Sequence, residues 1–281
     1  MAGASAAPIV AVDTRRPAWS PVIDTHAHVF ARDLPLVTGA THQPERDYTV
    51  EDYLTQLDAE GVAFGVLTAP SFLGTYNDYA LAALHDHPRL RATAIVEPGI
   101  DPYVLRAMDR DGFVGIRYSL RRYPTLPDFS APEFRPLLRR VCDLDWYVHI
   151  LAESERLATM IPPLRKAGVK LVIDHFGVPD PAQGPESAGL RAVLDALEAG
   201  NTWMKLSGPY RIDGLDATAL ARRCLEICGP DRLLWGSDWP WTAHEGRFTY
   251  RDTIRWFEEW IPDPAIRDAI GRAGLRINKF I

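Results

Sequence analysis

Two histidines lie one residue apart near the end of an early apolar run, which reads Val22-Ile-Asp-Thr-His26-Ala-His28. Because side chains alternate along a strand, His26 and His28 should point to the same side. Two imidazoles at one strand end can bind a metal ion or polarise a substrate oxygen. A structural pair that is satisfied by backbone carbonyl groups is the alternative. We expect the pair to belong to an active site, since buried imidazoles need polar partners.

An aspartate follows an apolar run near the other end of the chain. The segment reads Arg232-Leu-Leu-Trp-Gly-Ser-Asp238-Trp-Pro240. A carboxylate at the point where a strand opens into a loop is well placed to act as a general base on water. It could equally be a metal ligand that also handles the proton, or the cap of a helix or turn. We predict that Asp238 acts on water.

Further candidates follow later apolar runs. We expect His175 to share the strand-end position of the other histidines, and its neighbour Asp174 to point into the surrounding helix layer. His149 lies earlier in its run and is either a metal ligand or a core histidine with satisfied nitrogens. We interpret Lys205 as a structural or electrostatic residue rather than a carbamylated metal bridge.

Eight β-rich runs alternate with amphipathic helical patterns along the chain. The runs show little polar alternation, which is typical of parallel strands buried on both faces. They are Val22–Phe30, Val62–Ala69, Leu90–Glu97, Phe113–Leu120, Trp146–Ala152, Lys170–Phe176, Thr202–Ser207 and Arg232–Asp238. The helical patterns have apolar residues at helical spacing. They include Val50–Glu60, Val104–Arg110, Glu133–Leu144, Leu190–Ala199 and Ala217–Ile227.

This strict alternation predicts an α/β fold, namely a single-domain (β/α)8 TIM barrel over residues 21–281 that follows a flexible N-terminal tail at residues 1–20. A doubly wound open sheet is the alternative, although no glycine-rich nucleotide-binding loop follows the first run. In a barrel, the carboxyl ends of all strands converge at one face. His26, His28, His175 and Asp238 should therefore meet there.

The composition indicates a globular protein that acts on small molecules. Its 281 residues carry a formal net charge of −6, so we expect neither a nucleic acid partner nor an acidic membrane. No run approaches about 18 apolar residues, and the first residues do not resemble a signal peptide. Three cysteines without a framework of spacings favour a reducing compartment. We therefore expect a cytoplasmic protein.

Three motifs resemble the amidohydrolase-2 group of the amidohydrolase superfamily. They are Asp24-Thr-His26-Ala-His28, Asp174-His175-Phe-Gly177 and Gly236-Ser-Asp238-Trp-Pro240. The resemblance extends from about Pro21 to Lys279. The segments Lys205–Gly208 and Gly229–Pro240 are similar to the lactonase branch, which includes 2-pyrone-4,6-dicarboxylate lactonase, sulfomuconolactone hydrolase and sugar-acid lactonases.

The resemblance also implies roles for individual residues. Asp238 would be the base that activates water, while His26, His28 and His175 would surround the lactone carbonyl. The implied substrate-binding residues are Tyr48, Ser71, Arg117, Arg122 and Arg211. Arginine binds carboxylate through two parallel hydrogen bonds, so several converging arginines indicate a small anionic, carboxylated substrate. Solvated loop arginines are the alternative, and of adjacent Arg121 and Arg122 only one should point inward.

We therefore expect a catabolic hydrolase that opens a carboxylated lactone. A metal-dependent decarboxylase, or a sugar-acid lactone hydrolase or isomerase, could use the same site. The cofactor expectation is either none or one divalent metal ion, zinc or manganese. The ligands of such an ion would be His26, His28, His149 and Asp238. Four tryptophans near the C-terminus could pack the end of the barrel or a subunit contact, so a homo-oligomer remains an open alternative.

Overall fold

The computed structural model describes residues 19–40, 42–121, 123–212 and 214–281. Most of the predicted tail, and the predicted substrate ligand Arg122, lie outside these ranges. The strands are β1 (Ile23–Ala27), β2 (Phe64–Leu67), β3 (Leu90–Ala94), β4 (Phe113–Ser119), β5 (Tyr147–Leu151), β6 (Lys170–Ile173), β7 (Thr202–Leu206) and β8 (Leu233–Trp235). The helices in the described ranges are α1 (Val50–Glu60), α2 (Asp78–Asp86), α3 (Pro102–Asp111), α4 (Phe134–Asp143), α5 (Ser154–Lys166), α6 (Ala188–Glu198), α7 (Ala217–Cys228), α8 (Tyr250–Trp260) and α9 (Pro264–Ile277).

The strands form one parallel sheet in sequence order, from β1 to β8. The sheet closes through residues just beyond β8, where Ala27 pairs with Trp239 in parallel. The amide of Asp238 donates to the His26 carbonyl at 2.8 Å, and the amide of His28 donates to the Trp239 carbonyl at 2.7 Å. The predicted (β/α)8 barrel is therefore confirmed, and the open-sheet alternative is wrong.

Local sequence signals place the helix ends. Helix α1 begins at a capping box in which Thr49 and Asp52 exchange side-chain and backbone hydrogen bonds. It ends at Gly61, whose left-handed backbone, with φ of 71°, suits glycine. An equivalent capping box, made by Thr249 and Asp252, begins α8. Over the described residues, no helix is both long and apolar enough to cross a membrane.

Helix α9 closes the end of the barrel opposite the predicted site. It packs against β1 and β8, and Ile277 lies in an apolar cluster with Val172 and Leu234. The Tyr147 hydroxyl donates to the Asn278 side chain at 2.9 Å from inside the barrel. The barrel interior is therefore closed at this end, and the predicted site lies at the other end, where the strands end in their loops.

Candidate active site

His26 in β1 and His28 just after it point to the same side, as predicted from strand alternation. Their Nε2 atoms lie 3.2 Å apart, and His26 is fully buried. The register of β1 against β2 is irregular between Asp24 and Ala27. The Asp24 carboxylate accepts hydrogen bonds from the hydroxyl groups of Ser237 and Tyr250. Gly236 packs directly against His26, because a Cβ at position 236 would lie 2.5 Å from the His26 Cβ. Only glycine fits there.

Asp238 follows β8 in a left-handed backbone conformation, with φ of 58°. Its two carboxylate oxygens have different surroundings. Oδ2 accepts hydrogen bonds from the Tyr210 hydroxyl at 2.5 Å and from Arg211 Nε at 2.8 Å. Oδ1 has no hydrogen-bond partner among the described residues and faces three imidazole Nε2 atoms. These belong to His26, His28 and His175, at 3.5, 3.6 and 3.9 Å respectively.

The electrostatics of this cluster favour one carboxylate among neutral rings. Burial alone would raise the pKa of Asp238, but the positive charge of Arg211 holds it well below its usual range. Burial lowers the pKa of His26 and of His28, and it lowers that of His175 to about 4. At neutral pH, Asp238 is therefore ionised while the three histidines are uncharged.

Asp174 points into the barrel, contrary to the sequence prediction. Its carboxylate contacts His149 and lies 3.2 Å from Arg117 Nη2, and it is almost fully buried. Strand alternation predicts this once it is counted from Val172, which also faces the barrel interior. His175 nevertheless turns back toward the site, because its backbone is left-handed, with φ of 47°. Both side chains therefore reach the same interior.

A buried polar network lies beside the histidine cluster. Lys205 Nζ donates to the Thr25 carbonyl at 2.9 Å and lies 3.2 Å from His26 Nδ1 and 3.1 Å from His149 Nε2. Burial lowers the pKa of Lys205 to about 8. The same His149 nitrogen contacts Asp174, so it does not face Asp238. Lys205 thus occupies the structural and electrostatic position that its sequence context suggested.

The donor atoms that could hold a metal ion are those of His26, His28 and Asp238. The two Nε2 atoms are 3.2 Å apart, and Asp238 Oδ1 lies 3.5 Å from that of His26 and 3.6 Å from that of His28. Tetrahedral zinc, with ligand distances of about 2.1 Å, requires separations of about 3.4 Å, so this set fits one divalent ion with an open fourth position. A second group of compatible donors contains His26, Asp174 and His175. Neither group includes His149, the remaining predicted ligand.

A cavity of about 110 Å³ opens above the cluster. His28, His175 and Arg211 separate it from Asp238, which has no exposed surface. The polar residues that line it are His28, His42, Ser71, Arg117, Ser119, Arg121, Tyr123, His175, Arg211 and Thr242. Several arginines therefore surround a space of the size of a small molecule.

The predicted substrate ligands separate into three groups. Ser71, Arg117 and Arg211 line the cavity, and Arg122 lies outside the described residues, although its neighbour Arg121 is a lining residue. Tyr48 is not among the described lining residues, because its ring packs against Phe30 and Trp239 with centroid distances of 5.4 and 5.6 Å.

Sequence reasoning missed His42, which lines the cavity from the loop between β1 and α1. Its Nε2 lies 3.0 Å from Glu245 Oε1, in the loop after β8. Neither residue follows a strand pattern, so no periodic signal marked them. The only available signal was the presence of a titratable side chain in a long loop at the catalytic end.

Comparisons with known proteins identify the family of this chain. The sequence matches the family described as Amidohydrolase over residues 23–273. It is 28% identical to 4-sulfomuconolactone hydrolase of Hydrogenophaga intermedia over 236 residues, which covers 80% of this chain and 75% of that protein. It is 30% identical to 2-pyrone-4,6-dicarboxylate hydrolase of Comamonas testosteroni over 241 residues, which covers 78% of this chain and 76% of that protein.

One solved structure is similar over its whole length. It is a probable 2-pyrone-4,6-dicarboxylic acid hydrolase of Acinetobacter baumannii with citric acid bound. Its TM-score is 0.88 and its sequence identity is 33%, with 92% of this chain and 100% of that chain covered.

Proposed function

Since this chain belongs to the amidohydrolase family, we propose that it hydrolyses the ring ester bond of a small lactone that carries carboxylate groups. One observation carries the proposal. Asp238 Oδ1, which has no hydrogen-bond partner among the described residues, faces three imidazole nitrogens beneath a cavity lined by arginines. This arrangement suits water attack on the carbonyl of an anionic substrate.

Asp238 is the base in this proposal. Arg211 and Tyr210 hold Oδ2, so only Oδ1 can accept the proton of a water molecule. The attacking water would lie between the rings of His28 and His175, which form the cavity floor above Oδ1. A carboxylate with a lowered pKa is a weak base. The proton therefore transfers late, after the forming carbon–oxygen bond has made the water acidic.

The negative charge that develops on the carbonyl oxygen needs hydrogen-bond donors. Arg117 and Arg211 both line the cavity and both carry a fixed positive charge. Arg117 also has a buried Nε without a partner in the described part of the chain. Donors that are already oriented before reaction stabilise an oxyanion strongly, because little reorganisation accompanies the charge transfer.

The cavity lining supports a carboxylated substrate. The cavity of about 110 Å³ is lined by three arginines, Arg117, Arg121 and Arg211. Guanidinium groups bind carboxylates through paired hydrogen bonds. The similar proteins named above act on sulfonated or dicarboxylated lactones according to their names, and one of them was solved with citric acid, a polycarboxylate. We infer that this chain takes a lactone of the same chemical class.

His26, His28 and Asp238 are also the residues that would hold a divalent ion. When bound there, such an ion supplies Lewis-acid polarisation of the carbonyl or an acidified water. With such an ion bound, Asp238 Oδ1 would be one of its ligands, and the arginines would still position the substrate.

The experiment is turnover of a lactone panel by purified protein, with and without a chelator, for wild type and Asp238→Asn. The panel contains pyrone dicarboxylate, muconolactones and sugar-acid lactones, and an aromatic carboxylic acid is added to detect decarboxylation. Hydrolysis of a carboxylated lactone by wild type alone supports the proposal. Release of carbon dioxide from an aromatic acid would favour the decarboxylase alternative, and conversion of a sugar-acid lactone without ring opening would favour the isomerase. Either result without lactone hydrolysis contradicts the proposal.

A further inference from the structure

The contact between His26 and His28 constrains which ring nitrogens carry protons. In the metal-free protein, two bare nitrogens at 3.2 Å would repel each other, as would two N–H groups, so one proton lies between the two Nε2 atoms. Its position depends on what the other nitrogen of each ring contacts, because a neutral imidazole has one donor and one acceptor.

The contacts of His28 determine which of its own ring nitrogens carries the proton. Its Nδ1 lies 2.7 Å from the Thr68 carbonyl oxygen, which can only accept a hydrogen bond. His28 Nδ1 must therefore carry the proton of that ring, and His28 Nε2 is left as an acceptor. It follows that the proton between the two rings belongs to His26 Nε2.

His26 Nδ1 is then an acceptor, and Lys205 is the group that satisfies it. The Lys205 ammonium group has donors only, and its Nζ lies 3.2 Å from His26 Nδ1. A second group competes for the same nitrogen, because Asp174 Oδ1 lies 3.0 Å away. That carboxylate would favour the opposite tautomer, with the proton on Nδ1.

We propose that Lys205 is a positioning residue which holds His26 in the Nε2-protonated tautomer and so opposes metal binding at the His26–His28–Asp238 site. A metal ligand must offer a lone pair, and His26 Nε2 can offer one only when its proton moves to Nδ1, facing Asp174. Lys205 stabilises the tautomer in which His26 Nε2 carries a proton and donates it. Asp174 stabilises the other tautomer, in which His26 Nε2 has a free lone pair for a metal ion. The hydrogen-bonded series runs from Lys205 through His26 and His28 to the Thr68 carbonyl.

Lys205→Met tests this role with two readouts that do not depend on catalysis. Ring ¹⁵N chemical shifts distinguish the two neutral tautomers and the doubly protonated ring, and His26→Gln assigns the signals. We expect Nε2-protonated His26 in wild type and Nδ1-protonated His26 in Lys205→Met. Zinc titration of the metal-free proteins should show about 10- to 100-fold tighter binding in Lys205→Met, the range by which groups that contact a metal ligand alter affinity.

Two further variants separate the tautomer from the charge. Lys205→Gln keeps a neutral donor, so it should retain the wild-type tautomer and gain less zinc affinity than Lys205→Met. Lys170→Met removes a surface lysine that pairs with Asp145, and it should change neither readout.

Wild-type His26 protonated on Nδ1, or on both nitrogens, would overturn the proposal even if Lys205→Met does not fold. An unchanged tautomer with unchanged zinc affinity in folded Lys205→Met would also overturn it. Because neither readout uses a lactone, these outcomes are independent of the proposed hydrolysis.

Discussion

Arg211 binds Asp238 with two nitrogens on a single oxygen: its Nε and Nη2 lie 2.8 and 2.7 Å from Asp238 Oδ2. The guanidinium therefore does not cover both carboxylate oxygens, as it would in a symmetric pair. It stabilises the ionised form of Asp238 and leaves Oδ1 directed at the histidines. Arg211 thus sets the charge of the proposed base and, together with Tyr210, its orientation.

Replacement of Arg211 should move the acid limb of the pH–rate profile. Arg211 lowers the pKa of Asp238, so Arg211→Gln raises that pKa, and Asp238 becomes protonated at pH values where the wild-type residue is still ionised. Activity should then fall as pH decreases, with the limb about 1–3 pH units higher than in wild type. The profile of kcat, normalised to its plateau, measures this shift apart from any loss of substrate binding. A limb at the wild-type position would mean that Asp238 does not titrate as the base.

Asp238→Asn should abolish turnover with little loss of binding. The amide keeps the size of the side chain but cannot accept a proton from water, so kcat should fall about 10²- to 10⁴-fold. Binding of a non-hydrolysed dicarboxylate, measured by calorimetry, should change far less. Asp143→Asn, on an exposed turn of α4 that pairs with Arg139, serves as the control and should match wild type. Wild-type kcat in Asp238→Asn would exclude this residue as the base.

Gly208 lies against both proposed catalytic groups, which gives a steric test. A Cβ there would lie 2.9 Å from His175 Nδ1 and 3.3 Å from Asp238 Oδ2. Gly208→Ala should therefore reduce kcat by at least about tenfold, since displacement of catalytic groups by about 1 Å is costly. Gly61 is the matched control, because it also has a left-handed backbone, with φ of 71°, but an added Cβ there would lie no closer than 3.5 Å to another side chain.

The two alanine variants should lose similar stability, about 1 kcal/mol, because each places a side chain in a left-handed backbone. Chemical denaturation measures this loss, and steady-state kinetics measures the activity. Equal loss of activity in the two variants would show that the backbone conformation, rather than crowding of His175 and Asp238, is responsible.

Arg121 should contribute to binding rather than to chemistry. It lines the cavity, with its Nε 3.6 Å from Glu153 Oε1. Arg121→Gln should raise KM for a dicarboxylated lactone about tenfold, the value of one lost charge-assisted hydrogen bond, and should change kcat much less. Arg139→Gln, which alters an exposed arginine on α4, is the matched control. A proportionate fall in kcat with unchanged KM would assign Arg121 to the transition state instead.

The sequence was sufficient to predict the barrel and the four residues at its centre. Continuous apolar runs mark buried parallel strands, and strand ends in a barrel converge whatever the loops contain. The orientation of Asp174 was predicted wrongly because alternation was counted from His175, whose left-handed backbone interrupts the strand pattern. A register error of one residue reverses the face of a side chain.

The loop residues of the cavity could not be predicted in this way. His42 and Glu245 come together from loops that follow different strands, and their contact depends on loop paths that no periodicity encodes. Likewise, the resemblance assigned Tyr48 to the substrate, whereas the structure packs its ring between Phe30 and Trp239. Its substrate role stays a prediction.

The closure between β1 and the segment after β8 has a consequence for how the protein becomes active. Asp24 and Ser237, which join the two sides of this closure, are 213 positions apart in the chain. Bringing such distant segments together costs about 5 kcal/mol in chain entropy, and contacts of this separation form late and slowly in folding. His26, His28 and Asp238 sit on the same closure, so no partly folded barrel can hold the complete cluster. Regain of turnover during refolding should therefore lag behind regain of helical content.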